Sequence, residues 1–223
     1  QSFSFKMAST GPTVLSYNNC LLRRSDLALL EGPRWLNDQV IAFAFEYFEY
    51  DLFKDFSDDV SFIGPDIAQF IKLSQDAEVG MFLESLNLAF KQLVFLAIND
   101  NDSDTSVGGS HWSLLVCSRR DSTFRHYDSS GSFNEHAARQ IAMKMQPHVG
   151  LEKAHVMFAQ EQCTQQENCY DCGLFVICNA EHVCKHHFQG TPLTGAVTQA
   201  SVTRKRGELK ELILQLAAQD DVK

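Results

Sequence analysis

Three residues of this 223-residue chain could together form the machinery of a nucleophilic enzyme. His111 is the first residue of one strand-like run, and Asp128 is the last residue of the next. A short polar link joins the two runs, which predicts a hairpin. If the turn is centred between Arg119 and Arg120, the two side chains face each other with Cβ atoms about 5 Å apart. A carboxylate at that distance would fix the tautomer and the orientation of the imidazole, as a general base requires.

Cys172 is the candidate nucleophile. It lies where a polar segment, residues 160–171, leads into an apolar run that we interpret as a buried helix continuing through Cys184. A sulfur at the first turn of a helix is close to unpaired backbone N–H groups and to the positive end of the helix dipole. That position favours the thiolate, and a neighbouring imidazolium favours it further. We expect Gly173 to let a substrate backbone approach the sulfur.

Each of these residues also has an ordinary structural explanation when it is considered alone. A histidine at a strand start is commonly a hydrogen-bonded or surface residue, an aspartate before residues 129–131 is a common turn former, and a lone cysteine is commonly a small buried apolar side chain. Cys169 and Cys172 form a C-x-x-C pair, and Cys178 and His182 follow at helical spacing, so a zinc site or a redox dithiol is an alternative. Only the combination of histidine, aspartate and cysteine favours catalysis.

The elements that must position these residues have clear sequence signals. Asn37 or Asp38 can cap a helix that continues to Phe48, because apolar residues recur there at helical spacing. A buried strand is predicted over residues 93–98, followed by the hairpin and by a short strand over residues 156–158. Further helices are predicted over residues 67–73, 77–86, 134–148 and 208–218.

These elements predict a single α+β domain with a central mixed or largely antiparallel sheet flanked by helices. We assign residues 14–219 to this domain. Residues 1–13 are interpreted as a leader or an added remnant, and we expect them to be disordered.

Composition restricts the partners of the protein. A formal net charge of -9 argues against nucleic acid, because phosphate binding requires clustered Lys and Arg, and the basic run 204–206 is interpreted as a solvated helix start. The 7 cysteines have no regular spacing, which favours reduced thiols in the cytoplasm or nucleus. The longest apolar runs are much shorter than the ~20 residues that cross a bilayer. We therefore expect an intracellular monomer with no nucleic-acid or membrane partner.

Four ordered sequence blocks resemble the ubiquitin-like-protein-specific proteases, also called sentrin- or SUMO-specific proteases, which are related to the adenovirus protease. The blocks are Trp35-Leu36-Asn37-Asp38, His111-Trp112-Ser113-Leu114, Tyr127-Asp128-Ser129 and Asp171-Cys172-Gly173, the last with Gln166 six residues before the cysteine. The order His, Asp, Gln, Cys is that of the family and differs from papain, in which the nucleophile comes first. The resemblance implies the fold and the cysteine protease activity of this family, with no metal or cofactor.

The resemblance also implies roles for the matched side chains. His111, Asp128 and Cys172 would form the catalytic triad, and the Gln166 side chain with the Cys172 backbone N–H would form the oxyanion hole. A non-catalytic binding module with the same fold is an alternative that the intact set of four residues disfavours.

The substrate-binding residues are implied by the same resemblance. Trp35 and Trp112 would cover a narrow tunnel that admits the C-terminal Gly-Gly of a ubiquitin-like modifier. Asp38 would contact a basic residue near the tail of the modifier, although capping of a helix is an equally good explanation.

Within the family the likeness is greatest to the deneddylating members and extends from about Val14 to Leu216. It is carried by residues 14–17, 43–48, 95–100 and 176–179. The partner it implies is the neddylation modifier, the related-to-ubiquitin protein carried by cullins, and a SUMO-specific protease is the alternative. Cys169 departs from the family pattern, because a small polar residue is expected there, and a regulatory disulfide and simple sequence drift are the two explanations.

Overall fold

The computed structural model describes residues 10–103, 108–151, 156–192 and 197–220. The strands are β1 (Thr13–Tyr17), β2 (Cys20–Arg23), β3 (Val60–Ile63), β4 (Leu93–Asn99), β5 (Trp112–Ser118), β6 (Thr123–Tyr127) and β7 (Met157–Gln160). The α-helices are α1 (Arg24–Ala28), α2 (Asp38–Tyr47), α3 (Pro65–Leu73), α4 (Asp76–Glu84), α5 (Glu135–Met145), α6 (Cys172–Gln189) and α7 (Gln199–Asp220). Of these helices, none is both long enough and apolar enough to span a bilayer.

Five strands form the central sheet in the order β3-β4-β5-β6-β7. The inner pairs β4–β5 and β5–β6 are antiparallel, whereas the outer pairs β3–β4 and β6–β7 are parallel. Strands β1 and β2 form a separate antiparallel hairpin. The mixed sheet with its flanking helices confirms the predicted α+β architecture.

Strand β4 is apolar from Leu93 to Ile98 because both faces of the sheet are covered. Phe95 and Ala97 pack in one core with residues of α2 and α6, and Leu96 and Ile98 pack in a second core with residues of α3 and α5. Successive side chains of a strand point to opposite faces, so a strand covered on both sides needs apolar residues at every position. This explains the continuous apolar run that predicted the strand.

The β5–β6 hairpin differs from the prediction in its register. Ser118 remains in the strand, where it pairs with Leu93 of β4 and with Thr123 of β6, so the turn is centred one residue later than predicted. The register is therefore displaced by two residues. Because the side-chain period of a strand is two, this even displacement leaves His111 and Asp128 on the same face as diagonal neighbours. The prediction that His111 and Asp128 lie directly opposite each other is wrong, whereas the prediction that they share one face of the sheet is correct.

The described chain begins inside the segment that we assigned to the leader. The Thr10 backbone N–H donates to Ser25 Oγ over 2.8 Å, which ties this segment to the start of α1. Residues 10–13 therefore belong with the domain. The remainder of the predicted leader, residues 1–9, lies outside the described residues.

Helix α7 begins nine residues earlier than the predicted helix 208–218, so the basic run 204–206 lies within it. Arg206 is buried, and its Nη2 lies 2.7 Å from Asp171 Oδ1. The prediction of a solvated basic run is therefore wrong for Arg206. Its buried carboxylate partner lies on a different element, which a local charge pattern does not reveal.

Candidate active site

His111 and Asp128 meet where β5 begins and β6 ends. His111 Nε2 lies 2.6 Å from Asp128 Oδ1, and both side chains are buried. The carboxylate also accepts the backbone N–H groups of Ser130 and Asn134, each over 2.9 Å. Burial alone would raise the pKa of Asp128, but the imidazole and the two N–H groups lower it. The carboxylate is therefore ionised and oriented toward the imidazole.

The backbone of His111 is held as firmly as its ring. Its N–H donates to Asp100 Oδ1 over 2.9 Å, and its carbonyl accepts Asn134 Nδ2 over 3.2 Å and Asn99 Nδ2 over 3.3 Å. Asn134 thus bonds both members of the pair, because its backbone N–H also donates to Asp128. Sequence analysis placed Asn134 at a helix start and Asp100 in a polar loop, and found a functional signal for neither.

Cys172 is the first residue of α6 and is buried. Its thiol group lies close enough to the His111 imidazole to raise the pKa of that ring. Because Nε2 of His111 is engaged by Asp128, Nδ1 is the nitrogen that remains for the sulfur. Burial alone would lower the pKa of His111, but Asp128 and Cys172 outweigh burial and raise it to about 9. The imidazole is therefore protonated at neutral pH and can pair with a thiolate.

Asp171, the N-cap of α6, fixes the start of the helix that carries the nucleophile. Its Oδ1 pairs with Arg206, and its Oδ2 accepts Asn168 Nδ2 over 2.8 Å and Gln199 Nε2 over 2.9 Å. Arg206 also donates to the Leu29 carbonyl over 2.6 Å. Helix α7 therefore holds the first turn of α6 in place through a buried ion pair that is supported by further hydrogen bonds.

Gly173 packs closely against other residues of the protein. A Cβ atom at this position would lie 3.1 Å from Leu36 Cβ and 3.3 Å from Ile41 Cδ1. The space at Gly173 is therefore filled by the protein, and the prediction that it admits a substrate backbone is wrong. The missing side chain lets α6 pack closely against α2 and the segment before it.

A small cavity of about 80 Å³ leads to the sulfur. Its lining includes Trp35, Trp112, Asp38, Asp66, His111 and Cys172. Trp35 is 44% exposed, whereas Trp112 is half-buried and donates its indole N–H to the Leu36 carbonyl over 3.1 Å. The structure thus places both tryptophans on the route to the nucleophile, and the small volume suits an extended chain without large side chains.

Asp38 is the first residue of α2 and not its cap. The cap is Asn37, whose Oδ1 accepts the Val40 N–H over 3.1 Å. Asp38 instead lines the cavity together with the exposed Asp66. These two carboxylates give the cavity an acidic wall, which complements a basic residue on an entering chain.

Gln166 lies next to the loop that follows Asp128. Its Oε1 accepts the Ser129 hydroxyl over 2.9 Å, and its Nε2 donates to the Asn168 carbonyl over 2.6 Å. Its backbone N–H donates to the Ser129 carbonyl, also over 2.9 Å. An amide nitrogen carries two hydrogens, so a second donor function of this side chain is chemically open.

The cysteines of the alternative zinc or redox site are divided between surface and interior. Cys169 is exposed, whereas Cys172, Cys178 and Cys184 are buried. Burial raises the pKa of the Cys178 and Cys184 thiols to about 12. Within the described ranges, no three His, Cys, Asp or Glu side chains converge as metal ligands. The two deeply buried thiols are thus protonated at neutral pH and are poor nucleophiles.

Comparisons with known proteins identify the family. The family model for the Ulp1 protease family, C-terminal catalytic domain, matches residues 34–219. Sentrin-specific protease 8 of Homo sapiens is 50% identical over 209 residues, which cover 92% of this chain and 98% of the relative. NEDD8-specific protease 1 of Arabidopsis thaliana is 38% identical over 182 residues, which cover 79% of this chain and 77% of the relative.

A solved structure shows the same fold. The yeast Ulp1 protease domain, determined in complex with Smt3, the yeast ortholog of SUMO, has a TM-score of 0.74 at 20% identity. The match covers 95% of this chain and 90% of the yeast domain. Together with the family model and the human relative, this fold establishes that the chain belongs to the Ulp1 protease family and is a cysteine protease.

Proposed function

We propose that this protease hydrolyses the bond that follows the C-terminal Gly-Gly of a ubiquitin-like modifier, and that NEDD8 is its preferred modifier. The observation that carries the proposal is the joined set of His111, Asp128 and Cys172 at the end of a narrow cavity. The likeness to a plant NEDD8-specific protease over 79% of the chain supports the choice of modifier.

The first half of the reaction forms a thioester. The Cys172 sulfur attacks the carbonyl carbon of the terminal glycine, and the backbone N–H of Cys172 stabilises the developing oxyanion, with the Gln166 side chain as the second donor. His111 then gives its proton to the leaving amine as the C–N bond breaks. The products of this half are the free amine and a modifier bound to the enzyme through sulfur.

The second half releases the modifier. Water attacks the thioester carbonyl while His111 accepts one proton of the water, and the C–S bond breaks to give a thiolate on Cys172 and a carboxylic acid on the modifier, which releases the second proton of the water to solvent as a carboxylate forms. Asp128 stabilises the imidazolium whenever it forms. No redox change occurs, and the pair of ions is restored for the next cycle.

The acidic wall and the tryptophans supply substrate binding in this proposal. Trp35 and Trp112 enclose the two glycines, and Asp38 with Asp66 binds a basic residue that precedes them. Both removal of the modifier from cullins and other targets and maturation of its precursor use the same cavity. A SUMO-specific protease is the second candidate, because a domain solved with a SUMO ortholog has this fold.

We further propose that the enzyme acts as a monomer in the cytoplasm or nucleus. The 7 cysteines of the chain are free thiols, and reducing compartments preserve that state.

A comparison of three fluorogenic substrates tests the proposal. Hydrolysis of C-terminal aminomethylcoumarin amides of NEDD8, SUMO and ubiquitin is measured with the wild-type enzyme and with Cys172→Ala. We expect the NEDD8 amide to give the highest kcat/KM, and Cys172→Ala to lose all hydrolysis while it retains NEDD8 binding. A faster SUMO amide would exclude the proposed modifier, and hydrolysis by Cys172→Ala would exclude the nucleophile.

Covalent labelling provides independent evidence for the nucleophile. A NEDD8 derivative with an electrophile in place of its C-terminal carboxylate should modify one cysteine, which peptide mapping should identify as Cys172. Labelling of the exposed Cys169 would contradict the assignment.

A further inference from the structure

Phe133 is a large apolar side chain that stands in solvent beside the catalytic imidazole. It is 60% exposed, yet its ring meets the His111 ring edge to face, with centroids 5.5 Å apart and planes at 73°. His111 itself is only 5% exposed. The enzyme thus presents apolar surface to solvent next to the group that delivers the proton.

The loop that carries Phe133 is tied down close to it on both sides. The Gly131 N–H donates to Gln165 Oε1 over 2.6 Å, and the Asn134 N–H donates to Asp128 Oδ2 over 2.9 Å. The backbone at Phe133 is therefore fixed relative to the triad. A fixed backbone holds an exposed ring in one region at a lower entropic penalty than a mobile loop would.

The position of Phe133 differs from that of the two tryptophans. Trp35 and Trp112 line the cavity that leads to Cys172, whereas Phe133 contacts His111 without lining this cavity. A modifier tail that fills the cavity brings its last carbonyl to the sulfur, so the leaving group extends beyond the cavity and past the imidazole that protonates it. The Phe133 ring, which contacts that imidazole, is therefore an apolar surface within reach of the first atoms of the leaving group.

We propose that Phe133 determines specificity for the leaving group by packing against the methylene stem of a lysine whose ε-amine carries the modifier. The inference rests on the proposed function and adds a preference on the other side of the cleaved bond. A lysine presents four apolar methylene groups before its nitrogen, and such stems pack well on apolar surfaces. Leaving groups without a stem gain no such contact.

A series of leaving groups on one modifier tests this inference in the 223-residue chain. Three substrates are compared, the NEDD8 amides of methylamine, of butylamine and of the ε-amine of Nα-acetyl-lysine. Their cleavage is measured with the wild type, Phe133→Ser, Phe133→Leu and the control Phe90→Ser. Phe90 is 74% exposed and precedes β4 at the end of the strand opposite to the one that pairs beside His111, so it matches the change in surface chemistry away from the triad. Each enzyme is characterised by the ratio of kcat/KM for butylamide to that for methylamide.

The ratio separates a contact from a structural effect. We expect the wild type to prefer butylamide and the lysine amide by about tenfold, because roughly two methylene groups leave water. Phe133→Ser should lower the ratio toward one, Phe133→Leu should keep part of it, and Phe90→Ser should keep all of it.

Two outcomes would overturn the inference. A wild-type enzyme without preference for butylamide would do so directly. An unchanged ratio in Phe133→Ser would also do so, even if both rates fell together, because an equal fall indicates only a structural role. A wild type that cleaves none of the three amides would instead contradict the proposed function, and the inference would fall with it.

Discussion

Replacement of Asp128 by asparagine should remove the protonated imidazole on which the thiolate depends. Both carboxylate oxygens accept N–H groups, Oδ1 from His111 and Ser130 and Oδ2 from Asn134. The amide of asparagine has one oxygen, so its NH₂ group must face either the His111 nitrogen or the Asn134 N–H. In either orientation the negative charge that stabilises the imidazolium is lost.

The size of the effect follows from the His111 pKa. Its net rise from 6.5 to about 9 corresponds to roughly 3 kcal/mol in favour of the imidazolium, which is what Asp128 and Cys172 contribute beyond the opposing effect of burial. A hydrogen bond to a charged group contributes about 1.5 to 3 kcal/mol, so we assign roughly 2 to 3 kcal/mol to the carboxylate. Loss of that amount should lower kcat/KM at neutral pH about 30- to 150-fold.

The pH dependence gives the sharper assay. Because the His111 pKa is raised, the imidazolium is present below about pH 9 and is lost above it, so wild-type kcat/KM should fall as the pH rises through about 9. In Asp128→Asn the pKa of His111 falls, and the alkaline loss of activity should begin at lower pH. Hydrolysis of the NEDD8 aminomethylcoumarin amide is measured between about pH 5 and pH 10, and alkylation of Cys172 by iodoacetamide provides a readout without substrate.

Asp121→Asn is the matched control. Its carboxylate pairs with Arg125 over 3.1 Å at the hairpin turn, away from the triad, so the pH profile should keep the wild-type form. The reasoning would be refuted if the alkaline loss of Asp128→Asn began at the same pH as in the wild type. It would also be refuted if Cys172 alkylation in slightly acidic solution kept its wild-type rate.

Three further substitutions test the supports of the site. Arg206→Met leaves Asp171 buried without its cation and should lower the free energy of unfolding by about 3 to 5 kcal/mol in urea denaturation. Gly173→Ala forces a Cβ within 3.1 Å of Leu36 Cβ and should lower the same free energy by about 1 to 3 kcal/mol. Gln166→Ala should lower kcat about 10²- to 10³-fold in steady-state assays with little change in KM, because it removes a donor that acts on the oxyanion.

Each of these substitutions has a matched control elsewhere in the chain. Arg204→Met removes an exposed cation paired only at the surface and should change stability by less than about 1 kcal/mol. Gly207→Ala lies in α7 with nothing within 4 Å of the added Cβ, and it should raise stability by about 0.5 to 1 kcal/mol. Gln162→Ala, at an exposed position, should keep the wild-type kcat. Equal effects in test and control variants would contradict the proposed supports.

The sequence predicted those parts of the fold that depend on local patterns. The apolar run of β4 and the helical spacing of α2 are set by which faces are covered, and that information lies within a few neighbouring residues. The hairpin register depends on turn geometry, and here Ser122 adopts a positive φ of 50°, which a serine does not signal. His111 and Asp128 were nevertheless placed correctly on one face, because an error of two residues preserves the face.

The parts that were missed depend on contacts between distant segments. Arg206 and Asp171 are 35 positions apart and meet only after α7 packs on α6. Asn134 looked like a helix start and does precede α5, but its side chain bonds the carbonyls of Ile98 and His111 and does not cap the helix. Periodicity and composition do not indicate which acceptor a side-chain amide will bond, because several acceptors suit an amide equally well.

The dependence of the nucleophile on α7 has a consequence for synthesis of the protein. A polypeptide leaves the ribosome from its N-terminus, and Arg206 and Gln199, which anchor Asp171, emerge after all three reactive residues. An unfinished chain that already contains His111, Asp128 and Cys172 therefore lacks the anchor for the turn before its sulfur. Proteolytic competence should accordingly arise only after α7 has been synthesised and has packed on α6.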